Sequence, residues 1–101
     1  MATRPHRSPQ VVDGLRRGLK ERGLLELLLS LCKEYNVLLE DVLAGRRNTR
    51  IVRARDACIC KVLKVTAMST VETGELFGMD HTSICIARQR YEVRDKGRLL
   101  T

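Results

Sequence analysis

A chain of 101 residues supports one domain built around a single modest core. With 44% hydrophobic and 31% charged residues it has the make-up of folded globular material, not of a disordered segment. A net charge of +7 and a pI of about 9.8 suit an anionic partner, nucleic acid or an anionic membrane surface, without choosing between them.

The first ten residues, MATRPHRSPQ, carry two prolines and two arginines and no apolar periodicity, which predicts a mobile basic arm over residues 1–10. A single domain is expected over 11–101. From Val11 to Tyr35 the apolar residues Val11, Val12, Leu15, Leu19, Leu24, Leu25, Leu28, Leu31, Cys32 and Tyr35 recur at helical spacings, with Gly14, Gly18 and Gly23 as candidate breaks between two helices. Within this region LLELLLSLC, Leu24–Cys32, is interrupted by Glu26 and is far shorter than the roughly 20 apolar residues a membrane span needs. It also lies too far from the start to be the apolar part of a signal peptide, so no membrane association and a cytoplasmic, nucleoid-associated location are expected. Leu24, Leu25, Leu27, Leu28, Leu29 and Leu31 cover more of a helix than one core stripe needs, which leaves core and partner interface as alternatives.

Leu38 to Ala44 predicts a short helix that Gly45 ends. Residues 44–64, AGRRNTRIVRARDACICKVLK, then carry Arg46, Arg47, Arg50, Arg53, Arg55, Lys61 and Lys64 against Asp56 alone, so nearly all of the net charge sits in one fifth of the chain. This stretch crosses a loop and enters a helix whose expected core side is Ile51 or Val52, Cys58, Ile59, Val62 and Val65. Ser69 and Glu72 fit a capping box opening a helix with Val71, Leu76 and Phe77 inward. Gly78 is placed to turn the chain, Asp80 to cap a last helix from His81 to about Val93, and Ile84, Ala87 and Tyr91 to face inward. Two helices joined by a short glycine-containing turn, here about residues 69–93, form a helix-turn-helix whose second helix offers its first residues to the major groove.

Cys32, Cys58, Cys60 and Cys85 make no C-x-x-C pair, and Cys58 and Cys60 point about 200° apart around a helix. Reduced, buried thiols and no metal are expected. There is no phosphate-binding loop, nucleophile elbow or H-E-x-x-H pair, and a Cys85–His81 nucleophile fails because Cys85 follows Ile84 toward the core. Neither enzyme activity nor a cofactor is expected. The chain's aromatic residues, Tyr35, Phe77 and Tyr91, lie outside the basic stretch, so there is no stacking platform for single strands and duplex DNA is favoured.

DHTSI at the start of the last helix, ELFG before it and LEDVLAGRRNTRIVRARD upstream resemble the C-terminal DNA-binding domain, domain IV, of the bacterial replication initiator DnaA, over about residues 28–93. The paired signature is RR-x-x-R-x-x-x-x-R with a downstream D-H-T-[ST]-[IV]. The resemblance implies an all-α fold, a small helical bundle with a Trp-repressor-like helix-turn-helix, that binds short duplex boxes resembling TTATCCACA. It implies base contacts from Asp80, His81 and Thr82 and a minor-groove contact from Arg47. Ser83 and Arg55 match positions that support backbone or nearby contacts, and Arg46, Arg50, Arg53, Lys61 and Lys64 are expected beside the phosphates. The physics suits these roles: a carboxylate accepts from cytosine N4, a threonine pairs a hydroxyl and a methyl with a base edge, and arginine suits a narrow A·T minor groove. Each has a plainer rival: Asp80 as a cap alone, His81 as an exposed first-turn residue, Arg47 as one of several solvated charges.

The sequence also departs from the family. FGMDHT has one residue between FG and DHT where the family usually has two, so the recognition helix is expected to tilt. Ile86 stands where a phosphate-binding histidine is common, and Leu63 where a basic residue is. An initiator carries an ATP-binding AAA+ domain, for which these residues leave no room and hold no Walker motif. The expectation is therefore a stand-alone protein that binds double-stranded DNA at DnaA-box-like sites without ATPase activity and modulates replication initiation or transcription. The alternative is an adaptor that binds the initiator or another replication protein through the leucine-rich helices, which are also candidates for a homodimer interface.

Overall fold

Ser8 opens the first helix by accepting from the Val11 amide, and Pro9 fills the first helical position, where a missing N–H costs nothing. The computed structural model describes residues 7–100, with side chains through Arg94. Six helices follow: α1 (Pro9–Glu21), α2 (Leu25–Glu34), α3 (Leu39–Ala44), α4 (Thr49–Val65), α5 (Thr70–Phe77) and α6 (His81–Leu100), with no strand among the described residues. The fold is therefore all-α, as expected. Residues 1–6 of the expected arm lie outside the described residues, whereas from Arg7 onward the chain is placed on the body and α1 begins two residues before Val11.

Of the three candidate breaks only Gly23 ends a helix, at φ 72°, while Gly14 and Gly18 remain inside α1. Asn36 turns the chain after α2 at φ 59°, a left-handed conformation its short polar side chain tolerates. Gly45 ends α3 in the same region. The Ser69–Glu72 capping box forms in both directions, at 3.1 Å each.

The core gathers Leu19 of α1, Leu28 and Cys32 of α2, Leu39 and Leu43 of α3, Cys58, Ile59 and Val62 of α4, Phe77 of α5, and Ile84 and Ala87 of α6. The leucine-rich run is absorbed by it: Leu24 and Leu28 are buried, and Leu25, Leu27, Leu29 and Leu31 pack against it in part. Three valines expected on inward faces turn out. Val11 is exposed while Val12 is buried, Val65 at the last residue of α4 is 51% exposed, and Val71 is 56% exposed because Thr73 and Gly74 take the inward side of α5. Periodicity fixes a face only where a helix continues past the residue in both directions, and all three valines lie within three residues of a helix end.

One contact between α4 and α6 was not legible in the pattern. Asp56 is wholly removed from solvent, and its carboxylate accepts from Arg90 Nε and Nη2 at 3.2 and 3.0 Å and from Arg94 Nη2 at 3.1 Å. The fork geometry of arginine suits this, and the two guanidinium groups, one turn apart on α6, keep partial access to water. Two variants differ in what they leave behind. Asp56→Ala leaves arginines that can rehydrate and is expected to cost about 3 kcal/mol, whereas Arg90→Ala with Arg94→Ala strands a buried carboxylate and is expected to cost about 5 kcal/mol. Urea unfolding of both variants checks the order.

Candidate nucleic-acid interface

The turn between α5 and α6 is three residues, Gly78, Met79 and Asp80. Gly78 adopts φ 67° and ψ 33°, and the Met79 amide donates back to Gly74 O at 2.8 Å. This close return works because residue 74 has no side chain: a Cβ there would run into the carbonyl oxygen of Met79. Met79 then packs its side chain against the core. The three-residue turn is thus closed by backbone contact with α5.

Asp80 caps α6 by accepting from the Ser83 amide at 2.8 Å. That bond, a further bond with the Ser83 side chain and the neighbouring His81 hold the Asp80 carboxyl below its ordinary 3.8. His81 and Thr82 stand exposed on the first turn, with Ser83 half-buried behind them. The opening residues of α6 therefore present an ionised carboxylate, an imidazole and a hydroxyl together.

Across from this turn lies the loop from α3 to α4, where Asn48 caps α4 by accepting from the Arg50 amide at 2.9 Å. Arg47 is exposed here. A cleft of about 380 Å³ separates loop and turn, lined by Arg7, Ala44, Gly45, Arg47 and Arg55 on one side and Gly78, Met79, Asp80 and Ser83 on the other. Of the residues expected to act together, Arg47, Arg55, Asp80 and Ser83 meet at this cleft. Arg50 and Arg53 line a neighbouring groove with Tyr35, Asn48 and Thr49. Lys61 and Lys64 lie exposed farther along α4 and line neither.

Arg46 and Arg55 are more occupied than their place in the basic stretch suggested. Arg46 pairs with Asp41 at 3.0 Å. Arg55 is 8% exposed, and it donates through Nε to Val42 O at 3.2 Å and through Nη2 to Arg46 O at 2.6 Å, pinning the loop that carries Arg47. Burial lowers its pKa, Asp56 opposes this, and Arg7, Arg90 and Arg47 add to the lowering. The positions resembling the family's departures divide: Ile86 is 46% exposed, whereas Leu63 packs against the core.

Residues 26–90 match the family described as Bacterial dnaA protein helix-turn-helix. The chain belongs to this family. It is 30% identical over 64 residues to the chromosomal replication initiator protein DnaA of Mycoplasma genitalium, an alignment covering 63% of the chain and 15% of that protein. It is 28% identical over 85 residues to the DnaA of Thermoanaerobacter sp. (strain X514), covering 84% and 18%. It is 34% identical over 59 residues to that of Caldanaerobacter subterraneus subsp. tengcongensis, covering 58% and 13%. The chain thus spans less than one fifth of the length of these relatives. No solved structure gives a significant match.

Membership in the DnaA family makes this a helix-turn-helix domain that binds double-stranded DNA, a domain type with no catalytic role. Of the four thiols expected to be buried, Cys32, Cys58 and Cys60 are, while Cys85 is half-buried; a hydrogen bond with Cys32 and burial push Cys58 up, the same bond lowers Cys32, and burial pushes Cys60 up to about 11. Among the described residues no helix is long and apolar enough to cross a membrane. Arg7, expected within a mobile arm, instead lines the cleft, a placement that no local signal in the sequence marks.

Two outcomes follow from the turn and its cap. Gly74→Ala would ordinarily favour a helix interior by about 0.5–1 kcal/mol, but the collision with a backbone carbonyl dominates, and a net loss of about 2 kcal/mol is expected in denaturant unfolding. Because the folded-state pKa of Asp80 is depressed, its contribution to stability is present above 3.8 and is lost as pH falls through the lower folded value. The gap in melting temperature between wild type and Asp80→Ala is therefore expected to be constant near neutrality and to close in acid.

Proposed function

We propose that this DnaA-family domain reads DnaA-box-like duplex sites, with Asp80, His81 and Thr82 at base edges in the major groove and Arg47 in the adjacent minor groove, and so modulates replication initiation or transcription. The observation that carries the reading is the cleft that sets Arg47 across from the capped, exposed first turn of α6. A recognition helix offering its N-terminal residues and a neighbouring basic loop address two grooves of one duplex at once. Arg50, Arg53, Lys61 and Lys64, which have no carboxylate partner among the described residues, supply the phosphate contacts. Ser83 and Arg55 support the contact from behind, the first beneath the cap and the second beneath the loop.

Arg46 is assigned a minor share because its guanidinium is already paired with Asp41. The burial of the leucine-rich run against the core supports DNA, ahead of a docked protein, as the partner. The proposed role is to occupy or share such boxes.

The test is affinity for a duplex containing TTATCCACA against a scrambled duplex of the same composition, across a salt series. Preference for the box that persists at physiological salt is expected, and equal, steeply salt-dependent binding to both would leave only a basic coat. Arg47→Ala and Thr82→Ala are each expected to weaken box binding by about 1–3 kcal/mol, with Thr82→Ala also relaxing base preference.

A further inference from the structure

Arg7 lies ahead of the segment that matches the family, yet it reaches the centre of the candidate interface. Its amide donates to Ala44 O at 3.1 Å, its Nη1 to Leu43 O at 3.0 Å, and its Nη2 to Gly78 O. Those three carbonyls close α3 and α5, helix ends whose last oxygens otherwise lack partners. A cation at two helix C-termini is also favoured by both dipoles. Sequence position reinforces the placement, since Ser8 caps α1 immediately after Arg7, and α1 packs against both α3 and α5.

The two glycines that end these helices face the same guanidinium. A Cβ on Gly45 would lie 2.8 Å from Arg7 Nη1, and one on Gly78 3.0 Å from Arg7 Nε. Gly45 precedes Arg47 by two residues and Gly78 precedes Asp80 by two. One side chain therefore ties together the roots of both segments proposed to read DNA.

We infer that Arg7 is a positioning residue for sequence reading, a strap from the start of α1 that fixes the spacing between the Arg47 loop and the first turn of α6. The inference rests on the proposed sequence-specific binding. Both terminal nitrogens of Arg7 are engaged by carbonyls of the two segments, so its contribution is assigned to preorganising two contacts and not to neutralising a phosphate. It acts on the specific complex, where loop and helix must enter two grooves in register, more than on loose association along the backbone.

The experiment compares wild type, Arg7→Ala and Arg7→Lys by binding to the box and scrambled duplexes over a salt series, and by amide exchange in the free proteins. Arg7→Ala is expected to lower the box-over-scrambled ratio by about tenfold while leaving the salt slope unchanged. Exchange at Gly45, Arg46, Gly78 and Met79 should quicken together. Arg7→Lys, which keeps the charge without the fork, should fall between the two. An equal loss on both duplexes with a slope shallower by about one would make Arg7 a phosphate contact and overturn the inference. So would an unchanged ratio or unchanged exchange at these four amides. If wild type shows no preference for the box, sequence reading itself fails, and the exchange comparison still decides whether Arg7 straps the two segments.

Discussion

The carboxylate of Asp56 is the constraint on which the placement of the recognition helix depends. A charge with no access to water is tolerable only where its oxygens are fully engaged, and here three N–H groups from Arg90 and Arg94 engage them. Because the two arginines sit one turn apart from the middle of α6 onward, the bonds resist rotation and sliding of α6 on α4 at once. Ile84 and Ala87 then meet the core on the same side. Apolar packing alone would accept small shifts of register, whereas a bidentate pair with a further bond accepts far fewer. The first turn of α6 inherits that fixed orientation.

The same bonds explain why a net charge of +7 is a poor guide to the DNA-facing surface. Arg90 and Arg94 serve Asp56, the Arg55 and Arg7 side chains serve two carbonyls each, and Arg16 and Arg46 pair with Glu40 and Asp41. Arg47, Arg50, Arg53, Lys61 and Lys64 keep their charges toward solvent with no carboxylate paired to them among the described residues. Arginine is used internally where a planar fork must satisfy several acceptors, and lysine stays at the surface, where a hydrated point charge suffices. At the cleft the inward Arg7 and Arg55 stand beside the outward Arg47, so all three charges contribute to its field.

Much of this was legible in the sequence because its signals were local. The Ser69–Glu72 box, the Gly45 and Gly78 stops and the Asp80 cap each involve residues within a few positions, and each is found where the residue types placed it. What escaped depends on partners far apart in the chain: Asp56 with Arg90 and Arg94, separated by 34 and 38 positions, and Arg7 with Leu43 and Gly78, separated by 36 and 71. Composition made Arg7 look like one more charge in a proline-containing arm, and no periodicity distinguishes an arginine that caps two helices from one in solvent. The last helix likewise runs to Leu100 instead of ending near Val93, there being neither proline nor a left-handed glycine to stop it before then.

The short turn shows how local and distant constraints meet. A turn of three residues brings the start of the second helix close to the end of the first, and some atom must yield. Here the yielding position is Gly74, whose bare Cα lets the Met79 carbonyl settle on α5 while the Met79 amide bonds back to the same residue. Asp80 is then delivered directly to the N-cap position with its side chain on the Ser83 amide. Asp56 fixes α6 near its middle, and the turn, closed on Gly74, fixes its start. The orientation of the first turn of α6 relative to Arg47 is therefore set by three local features, Gly74, Gly78 and the Arg7 strap, none of which is among the exposed residues of that turn.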